Sequence, residues 1–157
     1  MQVFTMWREC ALTSFGEMLP HADNRVTLDP DHTDAYGVPI ARISCVHREN
    51  ELAMVRDQVD ACCEMLDSAG FEQTGSSTQL SVPGLACHEV GTARMGADPK
   101  DSVLNSFCQS WDINNLFVMD GSCFVSQGVQ NPTLTMMALV ARSCDYLLEA
   151  CRRGDLT

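Results

Sequence analysis

His88-Glu89-Val90-Gly91-Thr92-Ala93-Arg94-Met95-Gly96 opens the stretch around which the chain is organised. Asn115-Leu116-Phe117-Val118-Met119-Asp120-Gly121-Ser122 lies in its middle, and Gln130-Asn131-Pro132-Thr133-Leu134-Thr135 closes it. The middle string is a short apolar run that stops at an acid and a glycine, the pattern of a buried parallel strand delivering its C-terminal end to a ligand. Pro132 marks a helix start, because its fixed φ suits the first helical position and its missing N–H is one that a helix leaves unpaired there anyway. A histidine segment, a strand end and a helix N-terminus within residues 88–135 predict one site built from all three.

Working outward, the helix after Asn131 carries Met137, Val140, Ala141, Cys144, Leu147, Leu148 and Cys151 as its expected buried stripe, and frays near Arg152-Arg153-Gly154. A second helix is predicted from about Glu49 to Ala69, where Leu52, Val55, Val59, Cys62, Leu66 and Ala69 recur at spacings of three and four. Asn50 is its candidate N-cap, and Gly70 stops it in a left-handed conformation. Its opposite face, with Glu51, Arg56, Asp57, Asp60, Glu64 and Asp67, reads as solvated. Cys62 and Cys63 read as one core and one edge residue. Residues 75–84 form a polar break too short and mixed for a domain linker. Upstream, 24–28 reads as a short strand with Val26 and Leu28 on one face, followed by the turn-rich Asp29-Pro30-Asp31-His32-Thr33-Asp34 and a second strand over 38–46. The two predict an antiparallel pair. Residues 1–18, with Trp7, Leu12 and Phe15, show no decisive pattern.

A chain of 157 residues can hold one domain, since this size buries about 70% of the surface it exposes when unfolded. The net charge of −11 with one lysine, Lys100, disfavours a grip on a phosphate backbone, so nucleic acid is not an expected partner. No apolar run approaches the roughly 20 residues of a membrane span. The start Met1-Gln2-Val3-Phe4-Thr5-Met6-Trp7-Arg8 lacks the charged-then-apolar order of a signal peptide. Nine scattered cysteines with no C-x-x-C suit reduced thiols and a cytoplasmic location. Asp29-x-Asp31-x-x-Asp34-x-x-Gly37 has the wrong spacing for a calcium loop, and Cys45-x-His47 with Cys62-Cys63 lacks paired zinc-ligand spacing. There is no G-x-S-x-G elbow for acyl transfer.

The order His88-x-x-Gly91-Thr92-x-Arg94-Met95-Gly96, then Asn115-Leu116-Phe117-Val118-x-Asp120-Gly121-Ser122, then Asn131-Pro132-Thr133-x-Thr135 resembles the C-terminal part of the glucose-methanol-choline (GMC) oxidoreductases, which oxidise alcohols with FAD. Phe15-Gly16-Glu17-x-Leu19-Pro20, Asn24-Arg25-Val26-Thr27-Leu28-Asp29 and Gly37-Val38-Pro39 also resemble the segment before that family's catalytic histidine. The resemblance implies an α/β fold, in detail an α+β fragment. Residues 1–86 would give antiparallel strands and a helix of the substrate domain. Residues 87–151 would give the histidine motif and the closing strand and helix of a Rossmann-like FAD-binding domain, and 152–157 a tail.

The resemblance places His88 as general base, and imidazole titrates near the working pH of such a step. From the residue alone a structural histidine is the more common case. Asn131 falls where the family has histidine or asparagine, implying an amide that positions the substrate oxygen; an N-cap before Pro132 is the other reading. The resemblance also implies that Asp120 and Gly121 face the FAD ribityl and diphosphate, and that Asn131, Pro132 and Thr133 bring a helix N-terminus to the N1 and O2 edge of the flavin, where negative charge develops. A tight turn after a strand is the other reading of Asp120-Gly121. Gly91 and Thr92 are expected to shape the approach of the histidine, and Arg94 to act as an anchor.

No G-x-G-x-x-G is present to hold a dinucleotide, so the chain reads as a C-terminal piece whose partner is an N-terminal GMC half. The implied substrate is a small alcohol, sugar or polyol, nearest the gluconate, fructose and glucoside dehydrogenase branch, with oxygen, a cytochrome or a quinone as final acceptor. The alternatives are a non-catalytic binding module of the same architecture and a thiol or metal protein using the cysteines.

Overall fold

The computed structural model describes residues 9–156, so Trp7 and the N-terminal order of 1–8 lie outside the described residues. The elements are β1 (Arg25–Thr33), β2 (Pro39–Ser44), α1 (Glu49–Ser68) and α2 (Thr133–Arg153), with a 3-10 turn at Gly121–Cys123. An antiparallel strand pair with two helices is the mixed α/β composition expected. Two compact units result, one of residues 9–16 and 48–80, the other of 17–47 and 81–156.

β1 and β2 pair antiparallel, with Val26 opposite Ile43 and Leu28 opposite Ala41. Asn24 brackets the open end: its Oδ1 accepts the Val46 N–H at 2.9 Å and its Nδ2 donates to the Val46 carbonyl at 3.2 Å. Asp34 closes the other end by accepting the N–H groups of Tyr36 and Val38, while Gly37 takes the positive φ of 80° the turn requires. The turn expected at 29–34 lies inside β1 instead of ending it. Asp29 Oδ1 accepts the N–H groups of Asp31 and His32, and this local loop shifts the register between Leu28 and Thr33 before pairing resumes at Pro39.

In the first unit α1 spans nearly the predicted range, and Gly70 ends it at φ 79°. The N-cap is Arg48, not Asn50. An arginine offers no side-chain acceptor, so Glu51, three residues on, accepts the Arg48 N–H at 2.8 Å and closes the helix start. That role buries Glu51 to 2% exposure, which corrects its assignment to the solvated face. The stripe is shallow: Val55, Val59, Cys62 and Leu66 are half-buried, Leu52 and Ala69 exposed, and Cys63 is as buried as Cys62. Residues 14–16 lie along this helix, where Gln58 donates to the Phe15 carbonyl at 3.0 Å, and a Cβ on Gly16 would stand 2.6 Å from the Met54 Cε.

The second unit holds the buried apolar cluster, Leu104, Cys108, Cys123 and Phe124, with Val90, Met95, Val118, Met136 and Leu139 packed on it. The apolar run expected as a buried parallel strand is extended but makes no parallel ladder. Ser110 and Val118 donate to the carbonyls of Leu116 and Cys108, and Phe117 bridges antiparallel to Gln109. A parallel strand needs neighbours from distant chain, and the neighbours of this run are residues 108–110, which turn back on it locally.

α2 starts one residue later than predicted, with Pro132 at the cap, and ends at Gly154 in the left-handed conformation. Its buried face is rotated from the expected stripe. Pro132, Ser143 and Ala150 are buried, with Met136, Leu139, Val140, Tyr146 and Leu147 half-buried, whereas Met137, Cys144, Leu148 and Cys151 are exposed. The helix is apolar on two faces, and small side chains chose between them: Ser143 and Ala150, both 0% exposed, permit the closest approach. Tyr146 fixes the docking by stacking on Phe107 at 4.2 Å and donating to Gln109 Oε1 at 3.1 Å, while Arg142 lies over the Phe107 ring and donates to the Ser106 carbonyl.

The Ser143 hydroxyl is buried without a hydrogen-bond partner among the described residues. An unsatisfied buried hydroxyl costs about 1–3 kcal/mol, so Ser143→Ala is expected to stabilise the fold by about 1 kcal/mol. Ser143→Leu is expected to destabilise it through overpacking. Urea unfolding of both variants against the parent measures the two signs.

Candidate active site

The histidine segment and the turn after Asp120 are held together by backbone. Gly91, Ala93 and Met95 donate their N–H groups to the carbonyls of Gly121, Ser122 and Cys123 at 3.3, 3.0 and 2.9 Å. Gly121 sits where a Cβ would come to 3.1 Å from the Glu89 carbonyl oxygen, 3.5 Å from Val90 Cγ1 and 3.7 Å from Met136 Sδ. A side chain at 121 would therefore meet both the residues following His88 and the first turn of α2. Gly91, at φ 84°, makes the bend that starts this pairing. Arg94 anchors the segment's far side by donating to the Asp101 carbonyl at 2.8 Å.

Asp120 and Ser122 form the turn expected as the alternative to a ligand contact. Asp120 Oδ1 accepts the Ser122 N–H at 2.9 Å and the Ser122 hydroxyl. The hydroxyl first, and then the N–H, hold this carboxyl below its ordinary 3.8. The Asp120 residue itself is exposed.

His88 is half-buried, Asn131 exposed, Pro132 buried and Thr133 exposed. Among the described residues no side-chain hydrogen bond engages His88 or Asn131, and the structure joins their segments through Gly121 without joining the two side chains. Asn131 precedes the cap and makes no capping bond; Pro132 occupies that position, and its carbonyl accepts the Met136 N–H at 2.9 Å. The N–H groups of Thr133, Leu134 and Thr135 precede that first helical bond and have no intrahelical partner.

One residue escaped the sequence reading of the site. Glu17 Oε1 accepts the Ser126 hydroxyl at 2.7 Å and the Gln127 N–H at 2.9 Å, across more than a hundred positions of chain. The Ser126 hydroxyl, then the Gln127 N–H, hold its carboxyl below the ordinary 4.5. Phe15-Gly16-Glu17 belonged to a recognisable motif, but no local pattern reveals which distant loop an acid meets. A second buried feature, Cys108 beside Cys123, lies beneath the turn. Burial, and then Cys108, push the Cys123 thiol up to about 12, so it stays a neutral thiol. All nine cysteines are free.

With this geometry in place, comparison with known proteins gives a consistent picture. The family model described as GMC oxidoreductase matches residues 20–140. The chain is 43% identical over 133 residues to the 2-methyl-1,2-propanediol dehydrogenase of Mycolicibacterium austroafricanum, covering 85% of this chain and 24% of that protein. It is 30% identical to the fructose dehydrogenase large subunit of Gluconobacter japonicus (88% and 25% covered) and 36% identical to the paromamine 6'-oxidase of Streptomyces fradiae (79% and 23%). The chain thus spans about a quarter of the length of these curated relatives.

Two outcomes are expected from the contacts above. Gly121→Ala forces the Glu89 carbonyl to move and is expected to destabilise the second unit by about 1–3 kcal/mol, with the amide signals of 89–95 shifting in NMR spectra. Glu17, depressed in the folded state, binds fewer protons folded than unfolded. Its contribution to stability is therefore complete above its ordinary 4.5 and is lost as pH falls through the lower folded value. Glu17→Gln is expected to lose less stability than the parent between pH 6 and 3, as measured by unfolding at each pH.

Proposed function

The chain belongs to the GMC oxidoreductase family, and on that premise we propose that it is the C-terminal portion of an FAD-dependent oxidoreductase acting on the CH–OH group of an alcohol, sugar or polyol. The observation carrying this reading is the convergence at Gly121 of the His88 segment, the Asp120 turn and the first turn of α2.

The donor set fits FAD on two counts. The unpaired N–H groups of Thr133, Leu134 and Thr135, with the positive end of a helix of 21 residues, suit the electron-rich edge of the isoalloxazine. Exposed Asp120 keeps one carboxylate oxygen beyond the Ser122 bonds, which suits a ribityl or ribose hydroxyl. When bound, FAD supplies the acceptor for the hydride that leaves the alcohol carbon.

His88 takes the hydroxyl proton as that carbon is oxidised, a role supported by its half-buried position three residues before the backbone-paired segment that starts at Gly91. Asn131 donates an amide N–H to the substrate oxygen. An amide positions without competing for the proton, so the two side chains divide binding from proton transfer. Gly121 admits the close packing that brings their segments together, and Pro132, buried, sets the helix start behind Asn131.

The named relatives are dehydrogenases of 2-methyl-1,2-propanediol and fructose and an oxidase of paromamine, which supports a hydroxylated small-molecule substrate here. The dinucleotide-binding half is the implied partner. The exposed apolar face of α2, with Met137 and Leu148, is suited to packing against it. Oxygen, a cytochrome or a quinone would then reoxidise the cofactor.

The test uses this chain joined to its dinucleotide-binding half. His88→Ala is expected to slow flavin reduction by a sugar or diol by about three orders of magnitude, within the span that general base catalysis supplies, while the flavin absorbance shows FAD still bound. Unchanged reduction kinetics remove His88 from the base role. Asn131→Ala is expected to slow reduction less and to leave thermal stability intact.

A further inference from the structure

Between the apolar cluster and α2, residues 125–131 run without regular secondary structure, yet they deliver Asn131 to the site. Val125, Val129, Gln130 and Asn131 are exposed, so packing does not fix this loop. Three polar contacts do. Glu17 Oε1 accepts from the Ser126 hydroxyl and the Gln127 N–H, and the Gln127 Nε2 donates onward to the Gln130 carbonyl at 2.8 Å. Between these, Gly128 takes a φ of 72°, the reversal that lets the Gln127 side chain reach Gln130. The relay ends one peptide bond before Asn131.

We propose that Glu17 is a positioning residue: its carboxylate, through Ser126 and Gln127, fixes the 125–131 loop and thereby sets where the Asn131 amide meets the substrate. A carboxylate suits the task, because it accepts two hydrogen bonds on one oxygen and charge strengthens both. The loop is tied at one end by Glu17 and at the other by buried Pro132, so removing Glu17 releases one end and leaves the other. A misplacement of the order of 1 Å costs about a hundredfold where a bound geometry controls the rate; a loop still tied at Pro132 loses less.

The inference rests on the assignment of Asn131 proposed above, and its test separates the two. In the complete FAD-loaded protein, Glu17→Ala is expected to slow flavin reduction at saturating substrate about tenfold and to raise KM, with FAD retained. Glu17→Gln, which keeps an acceptor oxygen, is expected to stay within about threefold of the parent. Adding Glu17→Ala to Asn131→Ala is expected to change the rate less than twofold, since the residue acts through Asn131. Hydrogen exchange read on 125–131 is expected to speed up at the Gln127 amide in Glu17→Ala, independently of any activity.

Unchanged exchange at Gln127 overturns the proposal whatever Asn131 does. Rate losses that multiply in the double variant overturn it as well, because Glu17 then acts by another route. Faster exchange together with an Asn131→Ala protein of parental rate also overturns it, and the failure then lies with the Asn131 assignment. Ser126→Ala, which removes only the hydroxyl donor, gives the same comparison with a smaller change and serves if Glu17→Ala loses FAD.

Discussion

The pairing of 91–95 with 121–123 is the constraint on which the second unit depends. Three N–H groups, from Gly91, Ala93 and Met95, meet three successive carbonyls, and a Cβ at 121 would crowd the Glu89 carbonyl oxygen at 3.1 Å. Backbone contact of this kind fixes position more tightly than side-chain packing, because neither partner has a rotamer to change. The segment after His88 and the turn after Asp120 are thus joined by backbone, and Met136 of α2 stands where a side chain at 121 would meet it.

Around that seam the apolar interior is thin. Leu104, Cys108, Cys123 and Phe124 form the buried cluster, while Leu134, Met137 and Leu148 of α2 and Leu28, Ile40 and Ile43 of the strand pair stay more than two-fifths exposed. A two-stranded sheet leaves both faces open, and a helix with two apolar faces needs a layer on each. Polar contacts carry correspondingly more of the local order: the Asn24 bracket, the Asp34 turn and the Glu17 carboxylate each hold segments that packing does not.

The fold departs from the local sequence pattern where that pattern leaves a choice open. The stripe on α2 was misplaced because Met137, Cys144, Leu148 and Cys151 are as apolar as Met136, Leu139 and Leu147, and periodicity cannot choose between two apolar faces. Ser143 and Ala150, weak signals by hydropathy, decide the matter by their small size. Glu51 was placed in solvent by its charge and is buried because a neighbouring N–H needs an acceptor. An apolar run ending at Asp120-Gly121 suits a parallel strand, but a ladder is a property of two segments, and here Phe117 bridges antiparallel to Gln109.

The sequence by itself determined the family, through the ordered motifs from His88 to Thr135. It also determined the two helices, the left-handed stop at Gly70, and the antiparallel pair, because caps, periodicity and turn glycines act within a few residues of themselves. It named His88, Asn131, Asp120, Gly121, Pro132 and Thr133 as the candidate site, but as separate strings. Only the tertiary structure decided that Gly121 lies between the His88 segment and α2, that Asp120 is bound by Ser122, and that Glu17 holds Ser126 and Gln127. Each is a meeting of groups distant along the chain or a choice among equivalent local partners, and such choices are set by shape and hydrogen-bond geometry once the chain has folded.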